Sequence, residues 1–114
     1  MSLLNIVERN ESGITVLEVT GRLALGRESQ RIETMIEDLA KKGSHKVVLD
    51  LTGVDYIDSA GIGMLALASG KFKEAGGSMA VVAPEGRVLQ MLKLTQMSTI
   101  LQVHSTLAAA TAAV

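Results

Sequence analysis

The chain has 114 residues, 47% of them apolar and 20% charged, which suits one domain able to bury a core without staples. It has no cysteine, so disulfides, thiolate metal sites and cysteine nucleophiles are excluded together. A net charge of −1, no Trp, one Tyr and one Phe leave neither a footprint for direct nucleic-acid or anionic-lipid binding nor an aromatic platform for single strands.

The N-terminal run MSLLNIVERNES has no basic segment followed by a long apolar one, so it does not read as a signal peptide, and the expected location is the cytoplasm. Residues 4–9 and 14–20 read as strands flanking the turn Asn10-Glu11-Ser12-Gly13. In the second strand Ile14, Val16 and Glu18 alternate with Thr15, Leu17 and Val19, the pattern of a strand covered on both sides. Gly21 and Gly26 bracket a loop, Arg22-Leu23-Ala24-Leu25. Over residues 28–42, Ile32, Met35, Ile36, Leu39 and Ala40 recur at helical spacing, and Gly43 follows as the C′ residue.

Lys46 to Leu51 (KVVLDL) is an apolar strand of the kind buried inside a parallel sheet. After TGVDYIDS, residues 60–74 predict a helix rich in small residues: Ala60, Gly61, Gly63, Ala66, Ala68, Ser69 and Gly70. Each glycine costs such a helix roughly 1 kcal/mol against alanine, which points to close backbone packing or to approach by another molecule. Further on, 78–83 predicts a strand, 85–94 a helix with Val88, Leu89, Met91 and Leu92 inward, 99–103 an edge strand and 105–113 a closing helix. Residues 94–114 contain no charged side chain, yet Thr95, Gln96, Ser98, Thr99, Gln102, His104, Ser105, Thr106 and Thr111 make the run too polar to span a bilayer. It reads instead as a short strand and an Ala-rich helix docked on the rest.

Two strands followed by alternating helix and strand predict an α/β fold over residues 1–114. The sheet is mixed, of four to five strands, with about four helices packed mainly on one face. The densest polar cluster is Asp50, Thr52, Asp55, Tyr56, Asp58 and Ser59, where a buried strand ends and a helix begins. Either Asp58 or Ser59 suits the N-cap of that helix, and Asp50 suits the backbone donors of the loop. Three enzymatic readings fail on the residues. The string Ile57-Asp58-Ser59-Ala60-Gly61 lacks the first glycine of a nucleophile elbow. His45 sits in a helix–strand loop where an exposed residue is expected and His104 at a strand end expected to be half-exposed, and Gly61-Ile62-Gly63 has no lysine with which to cradle a phosphate. What remains is a serine hydroxyl at a helix N-terminus. There a phosphoryl group gains from the helix dipole and adds about −1.5 to −2 charges to the surface.

The run from Val47 to Gly63 (VVLDLTGVDYIDSAGIG) resembles the signature of the STAS domain, specifically of the bacterial anti-sigma factor antagonists. Gly21-Arg22-Leu23 and Val88 to Ile100 resemble other parts of that domain, so the likeness spans nearly the whole chain. The resemblance implies a small cytoplasmic protein, not an enzyme and with no cofactor or metal. It implies binding to an anti-sigma factor, often a serine kinase, which frees a sigma factor. Phosphorylation by that kinase weakens the complex and a PP2C-type phosphatase reverses it; no contact with nucleic acid or membrane is implied. Carried over, Ser59 is the phosphoacceptor and Asp58 the cap beside it. Partner contact extends over Asp58, Ser59, Ala60, Gly61, Ile62 and Gly63, with Ala24 in the loop after Gly21. The two glycines let the partner approach, and Met64 and Leu65 serve as apolar contacts or as core. Many members carry Ser or Thr where this chain has Ala60, and an acidic residue at the place of Ala24.

Two rivals stand beside this reading. One is a STAS docking module of a stressosome-like or transport-associated complex, in which Ser59 only caps. The other is a receiver-like domain with Asp50 as acceptor. Such a domain needs paired acids after its first strand, and Ile6 to Glu11 offers only Glu8 and Glu11 for a magnesium ion that wants several oxygens together.

Overall fold

The computed structural model describes residues 4–24 and 27–114. Leu25 and Gly26 of the expected loop lie outside the described residues, as do Met1 to Leu3. Strand β1 (Leu4–Glu11) pairs antiparallel with β2 (Ile14–Leu23), from Leu4↔Gly21 to Glu11↔Ile14. The turn between them is tighter than the four residues expected. Ser12 and Gly13 alone make it, with φ of 53° and 84°, and two successive left-handed residues match the twist of the flanking strands.

Helix α1 (Arg27–Lys41) turns Ile32, Ile36 and Leu39 inward at the expected spacing. It closes on Gly43, at φ 81°, with the Gly43 and Ser44 N–H groups donating to the carbonyls of Ala40 and Leu39. Strand β3 (Lys46–Ile57) runs well past the expected end at Leu51, and β2 likewise takes in Arg22 and Leu23, which the sequence assigns to a loop. Backbone pairing carries both extensions. After register shifts at Glu18/Thr20 and Gly21/Arg22, the parallel ladder continues through Thr20↔Gly53, Arg22↔Tyr56 and Leu23↔Ile57. Gly53 fits against Thr20, where a Cβ would lie 2.5 Å from the threonine methyl carbon.

Helix α2 (Ser59–Glu74), strand β4 (Ser78–Val82) and helix α3 (Arg87–Leu94) follow, α3 beginning after Gly86 rather than at residue 85. The last strand is displaced from 99–103. Met97–Thr99 form a 3-10 turn, held by the N–H groups of Ile100 and Leu101 donating to the Met97 carbonyl, and β5 is Gln102–His104. Thr106 then caps α4 (Leu107–Ala113), its hydroxyl oxygen accepting from Ala109 N–H at 3.1 Å.

The strands lie in the order β1-β2-β3-β4-β5, antiparallel at β1–β2 and parallel from β2 onward. Because the order never reverses, each right-handed crossover lays its helix on the same face. On that face α1, α2 and α3 pack Ile32, Ile36, Ile62, Leu65, Phe72 and Leu92 into one core with Leu17, Leu49 and Val81. Among the described residues the other face carries α4 alone, with Ala110 clustered against Val16, Val48, Ala80 and Val82. This is the mixed sheet with helices mainly on one face that the pattern predicts. The uncharged C-terminal run is a short strand and a docked helix, and no helix among the described residues is long and apolar enough to cross a membrane. An order without reversal also lacks the switch point at which doubly wound sheets open a ligand crevice. The C-terminal ends of β2 and β3 therefore meet the solvent as a surface.

Candidate functional site

The site lies where β3 passes into α2 without a loop. Asp58 is the joining residue, its backbone extended at φ −109° and ψ −179°. Hydrogen bonds fix it on both sides, and its carbonyl accepts from Ile62 N–H at 3.0 Å as the helix begins. Its N–H donates to the Leu23 carbonyl at 3.3 Å, and its Oδ1 accepts from Gly61 N–H at 2.8 Å. Between the two oxygens that the sequence left open as caps, the geometry selects Asp58. An extended residue aims its side chain back at the N3 amide, whereas Ser59 is already the first helical residue.

The Leu23 carbonyl also explains the first glycine of the helix. A Cβ built on Gly61 would collide with that oxygen and lie 3.1 Å from Ile57 Cγ1. The close approach expected of a partner at Gly61 is thus made by the chain's own β2, and Gly61 is buried. Ile62 is 2% exposed and belongs to the core, as do Met64 and Leu65. These residues hold the turn from inside and offer little surface to a partner. Outside the turn the picture reverses. Ser59 is exposed, Asp58, Ala60 and Gly63 are half-buried, and a Cβ on Gly63 would meet nothing within 4 Å. Ala24, half-buried, follows directly on the last residue of β2.

The remaining acidic and aromatic residues divide by role. Asp50 Oδ1 accepts from both Thr52 N–H, at 3.0 Å, and Thr52 Oγ1, at 2.5 Å, which is the local backbone role the sequence suggests for it. Asp55 and Tyr56 are exposed. Across the ladder the guanidinium of Arg22 lies over the Tyr56 ring, 4.4 Å from its centroid. This pair was not visible in the sequence, because Arg22 falls in a stretch that reads as loop and its register partner is set by the shift at Gly21/Arg22. A strand signal continuing past Gly21 was the missing clue. His45 is exposed and His104 half-buried, at the opening of β3 and the end of β5. The depression beside the site, lined by Leu51, Asp55, Pro84 and Arg87 among others, holds about 200 Å³. Small-molecule sites usually offer roughly 300–1,000 Å³, so this depression is small for one.

Comparison with known proteins agrees with this fold. The family model of the STAS domain matches residues 5–110. A candidate anti-sigma factor antagonist from Thermotoga maritima is 29% identical over 76 residues, covering 67% of each chain. Among solved structures, an anti-sigma factor antagonist from Mycobacterium paratuberculosis superposes with a TM-score of 0.84 at 23% identity, over 97% of this chain and 93% of that one. The Bacillus cell fate determinant SpoIIAA, solved in its phosphorylated form, gives 0.69 at 12% identity over 92% and 96% of the two chains.

Proposed function

The chain belongs to the STAS domain family, and on that premise we propose that it is an anti-sigma factor antagonist, which binds an anti-sigma factor of the serine-kinase type, frees a sigma factor, and is switched off by phosphorylation of Ser59. The carrying observation is the division of labour at the start of α2. Asp58 makes the cap, so the exposed Ser59 hydroxyl is not needed for it. With Ala60 next to it, Ser59 is the hydroxyl of this turn that a kinase would meet. Transfer of a phosphoryl group from ATP to Ser59 Oγ releases ADP, and a PP2C-type phosphatase hydrolyses the ester. Similar proteins named as anti-sigma factor antagonists, among them SpoIIAA, which has been solved in both unphosphorylated and phosphorylated forms, support this reading.

The energetics favour a switch that acts at the surface. A phosphate at the first turn of α2 meets the positive end of the helix dipole, so the fold tolerates it. It adds about −1.5 to −2 charges beside Asp58 and Asp55, which changes what an approaching partner meets. On this reading the protein is a non-enzymatic, cytoplasmic regulator. Asp58, Ser59, Ala60, Gly63 and Ala24 face the partner, with Gly61 and Ile62 supporting them from beneath, and neither nucleic acid nor membrane is touched.

The test is a calorimetric titration against the cognate anti-sigma kinase, isolated by affinity capture from the same cells. Ser59→Ala is expected to bind as the parent does, and Ser59→Asp at least about tenfold more weakly, a loss of about 1.4 kcal/mol. Equal affinity of the two variants sinks the switch. Intact mass of protein taken from its own cells is expected to show one phosphatase-sensitive phosphoryl group mapping to Ser59. Its absence under every growth condition would favour an unswitched docking module instead.

A further inference from the structure

The helices grip the sheet unequally. Helix α1 sinks Ile32 and Ile36 into the core, α2 sinks Leu65 and Phe72, and α3 sinks Val88 and Leu92. Helix α4 sinks one alanine, Ala110, with Leu107 and Val114 only partly buried beside it. Among the described residues nothing polar makes up the difference. Residues 94–114 contain no Asp, Glu, Lys or Arg. The hydrogen bonds of α4 run to Thr106 or within the helix, as those of Ala109 N–H, Ala110 N–H and Thr111 Oγ1 do. A helix of seven residues is marginal in water on its own, so α4 depends on its docking. Yet what it covers is as dry as the main core: Val16, Val48 and Ala80 are fully buried, and Val82 is 1% exposed.

We propose that α4 is a lid, which swings off the sheet as one unit about the exposed Ser105 and Thr106 while the sheet, α1 to α3 and the turn at Ser59 stay folded. Opening bares an aliphatic strip that the closed protein hides. The strands themselves allow this. Val47, Leu49 and Val81 serve the face under α1 to α3, while the alternate residues Val48, Ala80 and Val82 serve the face under α4. The side chains that support the turn at Ser59 from beneath, Leu23, Ile57 and Ile62, all belong to the α1–α3 side. Pairing of β3 with β4 and of β4 with β5 does not pass through α4. The loss on opening is thus confined to one face, and segments with few buried apolar contacts open at the least cost. The lid does not depend on the Ser59 switch, since its strip lies on the sheet face opposite to α2. The chain can show that strip without giving up its site.

The chain has no cysteine, so one introduced thiol reports on its own surroundings. Val81→Cys and Val82→Cys put the same substitution at adjacent buried positions of β4, the first facing α1 to α3 and the second under α4. Each full-length variant is labelled with an aromatic disulfide reagent, slowly enough that reclosing competes. Position 82 is expected to react at least about a hundredfold faster than position 81, and to change little with urea below the transition. Position 81 waits for global unfolding and accelerates steeply with urea. Two further substitutions separate the lid from the rest. Ile36→Val, in α1, is expected to quicken labelling at 81 about fivefold and to leave 82 unchanged, because its contacts survive in the open form. Thr106→Ala, which removes the cap of α4, is expected to quicken labelling at 82 by about fivefold. The pair Val47→Cys and Val48→Cys in β3 repeats the comparison should either β4 variant fail to fold. Equal rates at 81 and 82, a rate at 82 that follows Ile36→Val, or one indifferent to Thr106→Ala, overturns the lid.

Discussion

The inner and outer sides of α2 use the same small residues for opposite ends. On the inner side Gly61 lies against the Leu23 carbonyl, with Ile62, Leu65 and Phe72 following into the core. On the outer side Gly63 and Gly70 meet nothing within 4 Å, and between them Leu67 is 61% exposed. A glycine inside a helix costs stability wherever it stands. At Gly61 that cost is offset by a contact that no other residue permits, since it brings β2 and the first turn of α2 together and so places Asp58 and Ser59. At Gly63 no contact within the chain offsets it. The comparison teaches that glycine content alone does not identify a binding face; what a Cβ would touch does.

The sharpest way to break this comparison is the same substitution made on each side. Gly61→Ala is expected to destabilise by about 1–3 kcal/mol, because the obstructing atom is a backbone oxygen held in place by the Asp58 N–H and cannot swing aside. Gly63→Ala is expected to stabilise by about 0.5–1 kcal/mol through helix propensity alone. Urea denaturation of the two variants reads both signs in one series. Two changes of the same sign would mean that the inner contact does not govern the turn.

Asp58→Ala sharpens the same point from the side of the cap. Removing the acceptor leaves the Gly61 N–H without its partner at 2.8 Å, at a cost of about 1 kcal/mol. Asp58→Asn retains an acceptor oxygen and is expected to recover most of that loss in thermal melts. Were Asn no better than Ala, the carboxylate charge at the helix terminus would outweigh the hydrogen bond.

How much of this was legible in the sequence depends on which force shaped each element. Helix α1 was readable because burial wrote it: Ile32, Ile36 and Leu39 recur at helical spacing and all face the core. The strand run Lys46 to Leu51 was readable for the same reason. The outer halves of β2 and β3 were not. Thr20, Arg22, Thr52, Asp55 and Tyr56 are exposed and join the sheet through backbone pairing across two register shifts, which leave no alternation to read. The Arg22–Tyr56 stack was therefore invisible, since it depends on a register that only the folded ladder defines. Ser59 was readable from its neighbours, because an acidic residue and a serine between an apolar strand and a small-residue helix mark a cap. Which of the two oxygens caps depends on backbone dihedrals, and those come from the bond to Leu23.

The smallest expected effect lies at the far end of α2, where a charged cluster on the surface adds to the apolar packing of the helix against α1. Lys71, exposed, reaches Glu33 at 3.1 Å and also pairs with Glu37, both glutamates half-exposed. The hydrogen bond and the positive charge of Lys71 hold the Glu37 carboxyl below its ordinary range, while Glu37 and Glu33 together push the Lys71 ammonium up. The signs set the pH window. A carboxyl lowered by folding contributes stability above its unfolded value and loses it as pH falls through the lowered one. A raised ammonium contributes below its unfolded value and loses that contribution as pH rises through the raised one. Between those limits Lys71→Met is expected to lower the urea midpoint slightly. The difference should vanish in acid, once Glu37 is protonated, and shrink in high salt, which screens groups this exposed. A difference that persisted in acid and salt would come from the packing of the lysine stem between α1 and α2, and the outer side of α2 would then be anchored by apolar contact at that end.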